Sequence, residues 1–395
     1  MPKMNNPLAD IHRREGVDLV NKNGISVPLS YGFPDDEYTA LRHTAVILDY
    51  SHYTKVVISG SDAFDFVDGI ITGRLGEVYD ENALYSLVLD EAGGIRTDCY
   101  VLNNDEKFII LAEHIDEQQF MELLEGVRAN DNVTFASMAC SHSLIVCEGP
   151  YSWELVKECF GMDIVGIPYL GFMTTYDGIV IFRCGKSGEF CYKLLVPFPH
   201  TVRVWELLIQ KGVAFNARKA GLSLQEITRL ENPFWNPSAI GGFTKNPIEL
   251  QLQWAIRYDK EEFWGRESLK FMMSRGCGHK VVGARFDGSE NDISKVERGD
   301  RIFYRDNEIG HVINTGYSAF SPQPGHIALV RLLTEYAYAG IESYEVRPEH
   351  GDRVALNTCS TPFLVTKSFF IDPHVHSYLD GNKPKDYAEG LVAER

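Results

Sequence analysis

The sequence predicts an α+β protein of two to three domains that ends in an all-β module. Three observations lead there. The chain has 395 residues, and a domain takes roughly 150. The stretch Lys55–Ala139 alternates apolar strand-like runs with segments of helical spacing. Beyond Gly276 the helical spacing stops, and short strands follow one another between turns, as in a small barrel or sandwich.

The elements follow in order. Asp36–His43 has acidic residues first and basic residues last, the polarity of a short helix. Lys55–Gly60 reads as a strand entering a turn, and Ser61–Ile70 as a helix. Ala83–Leu89, Cys99–Leu102 and Lys107–Leu111 read as strands, with turns at Gly93-Gly94 and Asn103-Asn104-Asp105. Ile115–Arg128 places Ile115, Phe120, Leu123, Leu124 and Val127 at helical spacing. Ser143–Cys147 opens another strand, ended by Glu148-Gly149-Pro150. A helix at Ser152–Phe160 and strands at Phe172–Tyr176, Ile179–Arg183 and Tyr192–Val196 come next. His200–Lys211 and Leu222–Leu230 read as helices. Phe234–Asn246 is too rich in breakers for regular structure. The last strands are expected in HKVVGARF, DRIFY, IGHVIN, HIALVRL, SYEVR and DRVALN.

Composition excludes several classes. With 44% hydrophobic and 24% charged residues, the chain is neither disordered nor fibrous. Its apolar runs fall far short of the ~20 residues of a membrane span. Met1–Glu15 is polar and mixed in charge, so no signal peptide is expected. Lys+Arg is 38 against Asp+Glu 55, a net of −17. Such a surface argues against nucleic acid or an anionic membrane as partner, while leaving room for a local basic pocket. None of the eight cysteines forms a C-x-x-C pair. They read as reduced, mostly buried thiols of a cytoplasmic protein.

Single residues carry little alone. Asp98 follows the Gly93-Gly94 turn at the start of an apolar strand. It is either a turn cap or a carboxylate tuned by burial. His374 and His376 would share one face of a strand, but no further ligands accompany them, and no metal site is expected. Cys184 and Cys191 fit core packing, and Gly185-Lys186-Ser187 lacks the earlier glycine of a phosphate loop. Thr315–Gly325 reads as a long turn between strands. It is a barrel loop, or one that closes over a site with Tyr317 or Phe320 as a stacking face.

The order of short motifs says more. Val27-Pro-Leu-Ser-Tyr31, Ala40-Leu-Arg42 and Leu48-Asp-Tyr-Ser-His52 are followed by Ala83-Leu-Tyr-Ser86, Gly93-Gly94 and Asp98. Then come Glu148-Gly-Pro150, Arg183-Cys-Gly-Lys-Ser-Gly-Glu189, Arg229-Leu-Glu231 and Asn246-Pro-Ile-Glu249. Phe263-Trp-Gly-Arg-Glu-Ser-Leu269, Phe320-Ser-Pro322 and Ile327-Ala-Leu329 complete the run. In this order the sequence resembles the tetrahydrofolate-dependent family of the glycine cleavage system T protein, over about residues 10 to 370.

The resemblance implies a three-lobed ring of two mixed α+β lobes and a C-terminal β-barrel, with folate in the central hole. Residues 1–54 plus 140–245 would form the first lobe, 55–139 the second, and 246–395 the barrel lobe with its linker. It implies tetrahydrofolate as cofactor, with Asp98 near its N5 and Tyr85, Trp254 and Tyr53 lining its site. Glu113, Lys193 and Gln225 stand at folate-site positions where the family has other residues. An asparagine is lost at Ala112-Glu113-His114, and Lys193 replaces a pterin-binding glutamate. Gln225 replaces an arginine, Lys186 a tyrosine, and Thr97 the first aspartate of a pair.

These departures turn the expectation from aminomethyl transfer toward the demethylases of the family. Thr315-Gly-Tyr-Ser318 and Leu230–Pro237 followed by Ala239–Gly242 resemble the vanillate/syringate branch. The single Asp after the turn resembles the dimethylsulfoniopropionate enzymes. The expected activity is transfer of a methyl group from a small O-, S- or N-methyl donor to N5. Aminomethyl transfer in glycine cleavage and a non-catalytic folate-binding protein are the alternatives. Asp98, Tyr31 and His52 are the candidate catalytic residues. Lys186 and Tyr317 are candidates for the donor, with Lys186 and Lys193 able to anchor an anionic one. The expected partner is a small methylated substrate, not nucleic acid or membrane, and the protein a monomer or homodimer.

Overall fold

The computed structural model describes residues 6–105, 107–128 and 132–384; Met1–Asn5 of the polar N-terminal stretch lie outside them. They divide into two compact units. The first takes its residues from Met1–Ser86, Thr97–Gln225 and Thr366–Arg395, the second from Leu87–Arg96 and Glu226–Val365.

The first unit holds a six-stranded sheet. Its order is Phe172–Thr174, Val180–Arg183, Cys191–Pro197, His142–Glu148, Val46–Asp49 and Arg218–Ala220, antiparallel except for the last pair. Helices Ser152–Phe160 and Phe198–Gly212 lie on it, and Trp153, Leu155, Trp205 and Leu208 bury their side chains in a core with Ile145, Ile181 and Leu194. A five-stranded sheet runs Ala83–Leu89, Ile95–Asn104, Lys107–Ala112, Thr54–Ser59 and Thr134–Ser137. Helices Ala63–Ile70 and Glu117–Val127 accompany it, the second capped by the Asp116 side chain accepting from the Gln119 N–H. Apolar residues on consecutive strand positions, as in Phe108–Ala112, are buried on both sides of this sheet, as a strand covered on both faces requires.

The second unit carries a closed six-stranded barrel. Its order is His279–Asp287, Gly325–Leu333, Asn307–Ser318, Arg301–Tyr304, Tyr344–Arg347 and Val354–Cys359, which returns to the first strand. Val282, Ala284, Val312, Val330, Val346 and Leu356 fill its interior. All six strands were expected from the sequence. The Gly93-Gly94 turn belongs to this unit. Gly93 has φ +82°, and a Cβ there would stand 2.8 Å from the Leu269 nitrogen. The turn passes under helix Arg266–Ser274 because it has no side chain there.

Several expectations are corrected. His374-Val-His376 is a turn, not a strand. The Asp372 carboxylate accepts from the His374 N–H, and the Asp372 N–H donates to His376 Nδ1, both at 2.9 Å. Local side-chain bonding of this kind competes with strand pairing. Thr315–Ser318 are not loop but the end of a barrel strand, paired from Thr315↔Ala328 to Ser318↔Gly325. The loop is only Ala319–Pro324. The segment from Thr366 groups with the first unit rather than with the barrel. Ser368 donates to Glu189 and the Tyr378 N–H to Glu154. Likewise, residues 226–245 group with the second unit rather than with the first lobe. A hairpin of Asp18–Lys22 and Ile25–Ser30 was not anticipated. Its turn is Asn23-Gly24, both at positive φ, the Asn-Gly signal of a tight hairpin.

All eight cysteines are unpaired, with Cys99, Cys147, Cys184 and Cys191 buried and Cys140 exposed. No helix among the described residues is long and apolar enough to cross a membrane.

Candidate functional site

In the five-stranded sheet, Cys99 pairs with Ala112. Continuing that register sets Asp98, within strand Ile95–Asn104, beside Glu113, the residue just after strand Lys107–Ala112. Both side chains are buried, Asp98 at 0% exposure and Glu113 at 1%. Two buried carboxylates side by side repel each other unless a cation joins them. Lys186 supplies it. Its ammonium lies 2.5 Å from Asp98 Oδ2 and 2.7 Å from Glu113 Oε2. Tyr85 donates its hydroxyl to the same Asp98 oxygen at 2.8 Å. The rings of Tyr85 and Tyr100 face the ammonium at 5.6 and 5.9 Å. Asp98 Oδ1 is buried and has no hydrogen-bond partner among the described residues. With every group ionised, the cluster carries one net negative charge and one open acceptor.

The turn that delivers Lys186 is rigidly built. Arg42 donates to the Ser187 carbonyl and to Glu189 Oε1. Ser187 donates to Glu148 at 2.5 Å, and Glu189 accepts from the Ser368 N–H and hydroxyl. Burial raises the Glu189 pKa despite the Arg42 charge beside it. Gly188 has φ +87°, where a Cβ would fall 2.6 Å from Thr366 Cγ2. Thr366 in turn donates to the Gly188 carbonyl at 2.7 Å.

Asp98, Glu113 and His114 place ligand atoms within 4.8 Å of one another, as a metal site would. His114 Nε2 is 3.5 Å from Glu113. The Lys186 ammonium already stands between two of these groups and provides the positive charge that an ion would bring.

Lys193 points from strand Cys191–Pro197 into a second group of rings. Its ammonium lies 5.3 Å from the Tyr50 ring centroid, 5.4 Å from Tyr53 and 6.0 Å from Tyr100. Tyr50 and Tyr53 stack at 5.6 Å. Tyr100 therefore faces both lysines. His52 touches Tyr50 and Tyr53 edge-on at 5.4 and 5.2 Å. Burial pushes its pKa down to about 3, against the smaller pull of Glu113 and Asp49. At neutral pH it is an uncharged ring and holds no acidic proton for a leaving group.

Tyr31 stands in a different network. Its hydroxyl meets His12 Nδ1 at 3.0 Å, and His12 Nε2 meets Asp49 Oδ2 at 3.0 Å. Burial favours protonation of Asp49, yet bonds from His12, Ser51 and Asn6 hold its pKa low. An ionised Asp49 only accepts, so His12 Nε2 donates to it. Burial and the charges of Glu15, Asp49 and Glu37 push the Tyr31 pKa up.

The fold thus brings Asp98, Glu113, Lys186, Tyr85, Tyr53, His52 and Lys193 into one neighbourhood of the first unit. Gln225 stands in the first turn of the helix Leu224–Glu231, outside the sheet that carries Asp98 and Glu113. Trp254 and Tyr317 belong to the second unit. Trp254 lies in the turn Gln253–Ala255, half exposed and edge-on to Phe234 at 5.7 Å. Tyr317 is half exposed on the barrel beside His326. Sequence reasoning missed Asn23, Arg42, Tyr50 and Tyr100. Asn23 donates to the His52 and Glu113 carbonyls, both at 3.0 Å. The Asn-Gly dipeptide was its available signal, Arg42 and Tyr50 lie within the quoted motifs, and Tyr100 had only its place in the strand that carries Asp98.

Residues 8–260 match the model of the GCVT N-terminal domain. The chain belongs to this family. It is 25% identical to an aminomethyltransferase of Pseudothermotoga lettingae over 364 residues, 90% of this chain and 97% of that protein. An aminomethyltransferase of Mycobacterium leprae is 28% identical over 287 residues, 71% of this chain and 77% of its own. Among solved structures, the glycine cleavage system aminomethyltransferase T of Bartonella henselae superposes with a TM-score of 0.77 at 20% identity. The match covers 91% of this chain and 98% of that one. At that identity it establishes the α+β fold with its C-terminal barrel.

Proposed function

We propose that this protein transfers a one-carbon unit to tetrahydrofolate at Asp98. The observation that carries the reading is the Asp98 carboxylate itself, buried, clamped through one oxygen and open at the other, in a chain of this family. Tetrahydrofolate supplies N5, the nucleophile that takes up the carbon. The open Oδ1 suits an N–H of the pterin and favours positive charge developing beside it. Lys186 and Tyr85 fix the other oxygen by hydrogen bonds. At Lys193 the fit differs. The resemblance implies an acceptor for the pterin edge there, and an ammonium only donates.

The named relatives are aminomethyltransferases, which makes an aminomethyl group the first reading of the transferred unit. Demethylation of a small O-, S- or N-methyl donor is the second, and one observation favours it. Lys186 and Glu113, both departures from the family pattern, are paired with each other and with Asp98. They form one ion-paired cluster rather than scattered losses. The folate product separates the two when the protein is incubated with tetrahydrofolate and either an aminomethylated lipoyl carrier or a panel of methyl donors. A 5,10-methylene product supports the first reading and a 5-methyl product the second. Absence of both under all donors would overturn the proposal.

A further inference from the structure

Four lysines among the described residues are buried: Lys55, Lys186, Lys193 and Lys260. Lys55 donates to the Ser51 and Tyr53 carbonyls at 2.8 Å each. Lys186 is shared by two carboxylates, and Lys260 also has a partner. Lys193 differs. It is 3% exposed, sits in an otherwise apolar strand, and has no hydrogen bond or ion pair from its ammonium among the described residues. The faces of Tyr50, Tyr53 and Tyr100 attract its charge. They accept none of its three N–H donors in the ordinary way. Glu148 and Glu113 attract this charge, but burying N–H donors without an acceptor is costly, and a ligand carboxylate would complete them.

We propose that Lys193 is the recognition point for a carboxylate on the one-carbon donor, received in the ring of Tyr50, Tyr53 and Tyr100. Lys186 cannot share that task, because Asp98 and Glu113 hold its charge. The donor class is therefore a small carboxylic acid bearing the carbon unit, with its carboxylate at Lys193 and its reacting end toward Asp98. The inference rests on the proposed reading for the site and adds the chemistry of the substrate.

The test is thermal unfolding of the full chain at constant ionic strength with formate, acetate, methoxyacetate, N,N-dimethylglycine or 3-methoxybenzoate. Each of the last four is compared with its primary amide, and all with chloride. Tetrahydrofolate is titrated separately into each variant. At least one acid is expected to raise the Tm of the wild type and of Lys193→Arg while its amide does not. In Lys193→Met the apparent Kd for that acid should weaken at least tenfold, and by a larger factor than the Kd for tetrahydrofolate. If no acid outperforms its amide, or if Lys193→Met responds equally, the inference is overturned and the folate reading stands. If Lys193→Met loses tetrahydrofolate instead, Lys193 is a folate contact and the inference is likewise overturned. Failure of tetrahydrofolate to bind the wild type would count against the folate reading alone.

Discussion

Removing the Lys186 ammonium would leave Asp98 and Glu113 as adjacent buried carboxylates with no cation between them. Breaking a buried ion pair from one side costs about 3–5 kcal/mol. Lys186→Met should show a loss of that order in urea unfolding at pH 7, and adding Glu113→Gln should restore a large part by removing the repulsion. No recovery in the double variant would mean that Lys186 matters through packing instead. His52 gives a second prediction. Its folded pKa of about 3 lies below the usual 6.5, so the unfolded chain binds a proton that the folded chain refuses. This contribution is full above pH 6.5 and falls with pH down to about 3, by about 1.4 kcal/mol per pH unit. Between pH 7 and 5 it amounts to roughly 2 kcal/mol. A folded His52→Gln variant should lose that much less stability over this range than the wild type, measured by urea midpoints. An unchanged pH dependence would show that His52 is not buried in its neutral form. Asp98 was legible in the sequence, because a Gly-Gly turn set it at the mouth of an apolar strand. The roles of Lys186 and Glu113 were not, because 73 residues separate partners that only sheet register and a distant turn bring together.

At the scale of elements, the Gly185–Glu189 turn decides where Lys186 points. Its conformation rests on Gly188 at positive φ and on Thr366 beneath it. Gly188→Ala combines a left-handed backbone with a close contact, and such strain costs on the order of 1–3 kcal/mol. The variant should lose that much stability and also turnover, since Lys186 moves with the turn. Thr366→Ser deletes Cγ2 while keeping the hydroxyl that donates to Gly188, and should return part of both. If Gly188→Ala is as stable and active as wild type, Gly188 and Thr366 do not hold the turn. The barrel strands were readable from their spacing, because each is short, apolar and bounded by turn residues. Thr315–Ser318 misled for the opposite reason. Polar and small residues look like loop, yet Tyr317 packs on His326 and Ser318 donates to buried Glu231 at 2.5 Å. The His374–His376 turn was invisible because one Asp372 side chain, not a periodicity, makes it.

For the whole molecule, the family and fold follow from matches over most of the chain. The proposed chemistry rests on the few positions at which the resemblance implies a departure from the family pattern. A net charge of −17 makes a small acidic substrate depend on local lysines rather than on the field of the whole surface. The proposed function depends above all on the Asp98 carboxylate driving one-carbon transfer to tetrahydrofolate. A single-turnover comparison of wild type and Asp98→Asn decides this, following one-carbon folate by mass, with tetrahydrofolate binding measured beside it. Product is expected to form at least ~100-fold more slowly in Asp98→Asn, in line with loss of one preorganised electrostatic group, while tetrahydrofolate affinity changes by less than tenfold. An Asp98→Asn variant that turns over at the wild-type rate would refute that role for the carboxylate.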